Sequence, residues 1–209
     1  MANTFAPFGL QPFGQREGAS PTAGLTRCFI ASSDVQPIFC GDTVKASTVV
    51  ASSNTNYVSR DTDGGSMVRG VFMGCEYYSP TVGRVVWSRY WPGAVQTAGP
   101  DAYAYVIDNP EQLFIAQGST VSVLGSSNIG TNIGVIPSSQ GNTTDGHSVL
   151  TLFSSGPTVN SSWPFRLVDT YSNYAPPGAN GVDNTAAAAI MVVAPNNWER
   201  KNLTARATQ

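Results

Sequence analysis

The chain has 209 residues, a formal net charge of −2, and 11 % charged against 41 % hydrophobic residues. The apolar content excludes a disordered polymer. No cluster of basic side chains is present to neutralise phosphates, so nucleic acid is not an expected partner. No apolar run approaches bilayer-spanning length, so a membrane is not expected either.

In chain order, residues 1–21 read as an extended N-terminal arm. Phe5, Pro7, Phe8, Pro12 and Phe13 alternate with glycines, which rules out a regular helix. Phenylalanines are costly to leave in water, at about 1.5–3 kcal/mol each. The arm is therefore expected to dock, on its own domain or on another chain. Residues 22–209 read as a single β-rich domain. Leu25–Ala31 has strand character, Ser32–Asp34 a turn, Val35–Phe39 a short strand closed by Gly41-Asp42, and Thr43–Ala51 a further β-rich run. Ser52–Ser66 is polar and loop-like. Its Asp61-Thr62-Asp63-Gly64-Gly65 lacks the liganding positions and terminal Glu of a calcium loop and reads as a turn.

Gly70–Gly93 is the clearest unit. Val71, Met73, Cys75 and Tyr77 alternate along one strand and predict one apolar face, with Val71, Met73 and Cys75 in the core. Ser79–Gly83 supplies a turn. Arg84–Trp91 predicts the second strand of a hairpin, closed by Pro92-Gly93. Beyond the loop Ala94–Pro100, strands are predicted at Ala102–Ile107, Leu113–Gln117 and Ser119–Leu124. Gly125–Gly146 is a long polar tract expected to be a surface excursion. Ser148–Phe153, Pro164–Asp169 and Ala186–Val193 return to strand pattern, with a loop at Thr170–Asn184, and the tail after Asn197 is expected to fray. Nine to eleven short strands without βαβ alternation predict an all-β fold, a jelly-roll-like sandwich or barrel with long loops.

Little in the chain suggests catalysis. His147, the single histidine, lies in Asp145-Gly146-His147-Ser148, and no serine sits in a nucleophile-elbow sequence, so it reads as a loop histidine rather than a triad member. Asp101, Asp108, Glu111 and Glu76 would serve a glycosidase only if two of them converged across a cleft, and turn capping is the simpler reading. Cys28, Cys40 and Cys75 show no metal-ligand spacing and read as buried free thiols, with a Cys28–Cys40 bridge as the alternative. Trp87, Tyr90 and Trp91 suit either a sugar-stacking platform or a core or subunit interface. No enzyme activity, cofactor or metal is expected. The N-terminus has neither a basic nor an apolar leader segment, so synthesis in a cytoplasm is expected.

Several segments resemble a family of small virion proteins of tailed bacteriophages. Phe8-Gly9-Leu10-Gln11-Pro12 is similar to its FGLRP opening, with Gln11 in place of the usual arginine. Cys28-Phe29-Ile30, Ile38-Phe39-Cys40-Gly41-Asp42, Gly70–Tyr77, Tyr90-Trp91-Pro92-Gly93 and Ala104–Pro110 with Leu113-Phe114 follow in the family's order. The resemblance implies a capsid cement (decoration) protein with a jelly-roll-like fold, bound as a homodimer to the major capsid protein on the surface of the virion. It carries no active site. Phe5, Phe8, Phe13, Tyr90, Trp91, Tyr171 and Tyr174 are the candidate interface residues. The alternative is a carbohydrate-binding, host-recognition module of a phage tail.

Overall fold

A computed structural model describes residues 4–16, 24–47, 56–93, 99–120, 124–153, 159–171 and 189–202. The expected all-β architecture is present, as two large antiparallel sheets that pack together with two short ribbons. Strands β1 (Gln11–Gln15), β10 (Gln112–Gln117), β15 (Ile190–Pro195), β14 (Phe165–Thr170) and β11 (Asn132–Ile133) form sheet I in the order β1-β10-β15-β14-β11. Sheet II runs β2 (Leu25–Ile30), β9 (Ala102–Ile107), β6 (Gly70–Ser79), β4 (Thr43–Ala46), β5 (Val58–Arg60), with β7 (Arg84–Ser88) also paired to β6. The ribbons join β3 (Ile38–Phe39) to β8 (Tyr90–Trp91) and β12 (Val135–Ile136) to β13 (Thr151–Leu152).

The main core lies between the sheets. Sheet I contributes Phe114, Ala116, Phe165, Leu167, Met191 and Val193, and sheet II contributes Val71 and Ile107. Trp198 packs at its centre, 5.8 Å from Phe114 and 5.7 Å from Phe165, the latter contact edge-on as the aromatic quadrupole favours. A second core on the opposite face of sheet II holds Cys28, Ile30, Phe72, Cys75, Ala104 and Val106 against Ile38 and Trp91 of the β3–β8 ribbon. Sheet II is thus apolar on both faces over part of its area, which is why Val71 and Phe72, adjacent in sequence, are both fully buried.

The central strand departs from simple alternation. Phe72 pairs with Val106 and Gly74 with Tyr105, leaving Met73 as the extra residue of a β-bulge. One inserted residue exchanges the faces, so Val71 and Met73 point to the main core while Cys75 and Tyr77 join Phe72 on the other side. Cys75 is buried as expected but does not share a face with Val71. The predicted second strand also divides. β7 pairs with β6 as far as Ser88, then the chain turns at Arg89 and β8 crosses to β3.

Other expectations are corrected by packing. β5 forms inside the stretch read as a loop, because Val44, Lys45 and Ala46 offer it an edge. The tract 125–146 is not a pure excursion, since Ile133 and Val135 enter the main core. The residues after Asn197 do not fray at once: Trp198 is fully buried and a helical turn follows at Glu199–Asn202. Of the strand expected at Ser119–Leu124, residues 121–123 lie outside the described residues, and none forms at Ser119, where Gly118 makes only an isolated bridge to Leu152. The N-terminal segment docks on its own sheet: Leu10 is in the main core and β1 closes one edge of sheet I. Pro12 is tolerated because an edge strand needs fewer N–H donors, and a bulge between Pro12 and Gly14 accompanies it. The second half of Thr43–Ala51, most of the loop Ala94–Pro100, and the alanines at the start of Ala186–Val193 lie outside the described residues.

Candidate functional site

The candidate interface residues do not gather in one place. Phe5 is 46 % exposed on a segment anchored by Gln117, whose side chain accepts the Ala6 N–H at 3.0 Å and donates to the Thr4 carbonyl at 2.9 Å. Phe8 is half-buried. Phe13 lies on the outer face of sheet I beside Leu113, Val192 and Ala194, and Tyr171 meets its ring edge-on at 5.7 Å. Tyr174 lies outside the described residues. Tyr90 stacks on Phe39 with ring centres 5.5 Å apart and borders an open cleft of about 570 Å³ with Pro37, Pro92, Ser139 and Gln140. Trp91 is different: it is 0 % exposed in the second core, and its indole N–H donates to the Asp34 carbonyl at 3.2 Å. Its side chain therefore offers no surface to a partner.

The groups weighed for chemistry make structural contacts. Asp145 accepts the His147 backbone N–H at 2.9 Å and faces its Nδ1 at 3.3 Å. The neighbouring Ser148 hydroxyl is buried and donates to Asp42 instead. Asp101 accepts the Tyr57 hydroxyl at 2.6 Å, which holds its carboxyl below the usual range. Asp108, 1 % exposed, binds Arg200 at 2.7 Å, Arg69 at 3.4 Å and the Thr26 hydroxyl at 2.7 Å. Glu111 lies 4.0 Å from Arg16. Asp61 and Asp63 accept backbone N–H groups within their own turn and flank Lys45 at 3.6 Å each. The cysteines are free and buried, which removes the Cys28–Cys40 bridge, and burial pushes all three thiols up.

What the strand register does bring together is an aromatic row that sequence inspection did not assemble. Trp87 pairs with Glu76, Glu76 with Tyr103, Tyr103 with Phe29, and Phe29 bridges to Tyr57. Paired residues point to one face, so these side chains line up across β7, β6, β9 and β2. The row continues the face that carries Val71 and Ile107, beyond the part that sheet I covers. Phe29 lies 5.3 Å from Tyr103 and 5.4 Å from Tyr57. The Arg27 guanidinium sits 4.1 Å above Tyr103, a cation–π contact. Tyr105, in the next row, is hydrogen-bonded to Glu76, which raises its phenol pKa. Trp87 is 58 % exposed. Its indole lies over Gly74: a Cβ there would come within 2.9 Å of Cζ2. Of the Trp87, Tyr90 and Trp91 trio, only Trp87 belongs to this face. The signal available in sequence was the tyrosine alternation in Ala102–Ile107, which needs the partner strands to acquire meaning.

No family model, no curated protein and no solved structure matches this chain.

Proposed function

We propose that this chain is a structural virion protein, a cement or decoration protein that binds the outside of an assembled phage head and stabilises contacts between capsomers. The observation that carries the reading is spatial. The segments that resemble the virion family are scattered through the sequence, yet they touch one another. Leu10 N–H donates to the Gly41 carbonyl at 3.0 Å, Gly41 N–H to Phe72 at 2.8 Å, and Phe72 N–H to Asp42 at 2.9 Å. Ile38 and Phe39 pair with Trp91 and Tyr90, and the Cys75 thiol reaches the Tyr90 carbonyl at 3.4 Å. Cys28 and Cys75 both pair with Ala104. Residues that form one connected block are specified together by a fold, as a shared architecture requires. The sparse charge fits the same reading: such a surface gains little from mutual repulsion and suits close packing in an assembly.

Mechanically, the sandwich supplies a rigid body, and the many weak contacts of a lattice add by avidity. Only the assembled shell presents a composite site, so binding favours the shell over its free subunits. The test uses heads prepared without this protein. Added back, it should co-sediment with assembled shells and not with free capsid subunits, load in hundreds of copies per particle, and raise the temperature at which heads rupture. Failure to bind shells, or a handful of copies confined to the tail, would replace this reading with the tail-module alternative.

A further inference from the structure

We propose that the outer edge of β7 pairs antiparallel with the β7 of a second copy of this chain, about a twofold axis at Val86. A strand at the margin of a sheet presents unused N–H and C=O groups along one side, and an extended chain is what takes them up in order. Among the described residues the other margins of the two large sheets are guarded. β1 carries Pro12 and a bulge. β11 is two residues long, and β5 is three, with Val58 and Arg60 buried. β2 is covered by Asn56, whose carbonyl accepts the Phe29 N–H at 2.9 Å and whose side chain donates to the Arg27 carbonyl at 2.9 Å. β7 has none of these devices. Arg84–Ser88 keep unbroken register with β6, hold no proline or lysine, and pair with no other described strand. The one charge, Arg84, stands at the turn end. Val85 is 63 % exposed and Trp87 58 %, and Val82 and Tyr78 of the same hairpin are exposed beside them. An apolar edge of this kind either receives a strand or aggregates.

The strand's own residues select a second copy as the occupant. A twofold axis perpendicular to the sheet keeps each side chain on its own face. Centred on Val86, it overlaps all of β7 and sets Val85 opposite the partner's Trp87 and Arg84 opposite the partner's Ser88. Both Val85–Trp87 contacts then join a β-branched to an aromatic side chain, a favourable cross-strand pair. Tyr78 and Glu76, which pair with Val85 and Trp87 inside the hairpin, extend each row onto β6. A parallel pairing in register would instead set the two Arg84 side chains together, and like charges directly opposite are destabilising. The twofold also uses up the edge, so two copies close and a third finds nothing to pair with. The strands β2, β9, β6 and β7 of each copy become one continuous sheet. So short a pair buries less than the roughly 1,200 Å² of a stable interface, so the free protein exchanges between monomer and dimer.

The test is sedimentation equilibrium of the intact protein up to millimolar concentration, where reversible monomer–dimer exchange without higher species is expected. Val85→Lys combined with Trp87→Lys sets like charges against each other at both contacts and should weaken the dimer at least about tenfold. Val85→Lys combined with Trp87→Glu sets opposite charges together at both contacts and should restore most of the lost affinity. Both positions face solvent, so each variant should keep the circular dichroism of the wild type. A wild type that stays monomeric at every concentration overturns the proposal. So does a dimer that the like-charged variant leaves intact, or one that both double variants weaken equally. No capsid enters the measurement, so its failure leaves the capsid reading standing, and failure of that reading leaves this one standing.

Discussion

Asp42 shows how far a residue's chemistry depends on distant partners. Its turn is readable in Gly41-Asp42, and its carboxylate accepts the Phe39 N–H at 2.8 Å as a turn aspartate should. Its burial is not readable, because Ser148, which donates to its other oxygen, lies 106 residues further along the chain. Burial pushes the Asp42 carboxyl up to about 7, only partly opposed by these hydrogen bonds. In the unfolded chain the group ionises near 3.8. Between those values the folded state holds the extra proton, so the stability from this group is complete at low pH and is lost as pH rises to about 7. Asp42→Asn keeps the hydrogen-bonding capacity and removes the ionisation. Relative to wild type it should gain stability between pH 4 and pH 8 by at most about 4 kcal/mol, read from urea midpoints at the two pH values. Equal midpoint shifts for the two proteins would show that Asp42 stays ionised throughout. The same limit on sequence reading applies to Trp91. Its type and position suited an interface as well as a core, and only the β3–β8 ribbon decides for the core.

At the scale of elements, the β6–β7 hairpin was legible because turn chemistry and alternation agree locally. Its bulge was not, since an extra residue exists only relative to the register of β9. The break between β7 and β8 was hidden for a similar reason: Arg84–Trp91 is uniformly β-forming, and the change of partner at Arg89 comes from the second ribbon. The bulge also sets the close approach of Trp87 to Gly74. Gly74→Ala would place a Cβ 2.9 Å from the indole and 3.0 Å from the Ser88 carbonyl, on a backbone that side chains rarely adopt. A cost of about 1–3 kcal/mol is expected, with a red-shifted tryptophan emission as the ring lifts into water. Unchanged emission and stability would mean that Trp87 is not seated on this glycine. The aromatic row itself is a property of four paired strands, so no single segment could announce it.

For the whole molecule, turn spacing and the lack of βαβ alternation were enough to give the all-β class. Strand order was out of reach, because β1 pairs with β10 and β2 with β9 across much of the chain. At the ends of the fold, the docking expected of the proline-rich segment takes the form of an edge strand, whereas the tail expected to fray holds Trp198 in the core. That tail is fastened through the buried Asp108, whose partners Arg69, Arg200 and Thr26 come from three separate parts of the chain. Asp108→Ala would remove the counter-charge that Arg69 and Arg200 share and leave Arg69 with the partly exposed Glu199 at 3.5 Å. A loss of about 1–3 kcal/mol is expected, with earlier tryptic cleavage after Arg200 or Lys201 than in wild type. A variant with wild-type stability and cleavage would show the cluster to be dispensable.

The position of β15 has a consequence for how the chain comes to be folded. Sheet II is complete once residue 107 has been made, whereas β15, at residues 190–195, is the middle strand of sheet I and separates β10 from β14. Until it inserts, β10 and β14 have no shared partner and the core face of Phe114 and Phe165 lacks its wall. During synthesis, then, the chain carries a finished sheet beside a half-built one, and the final step is the entry of a late strand between two that are waiting. Long-range closure of this kind is slow and leaves apolar edges open meanwhile. The nascent protein is most vulnerable to misassembly in the interval between the tenth strand and the fifteenth.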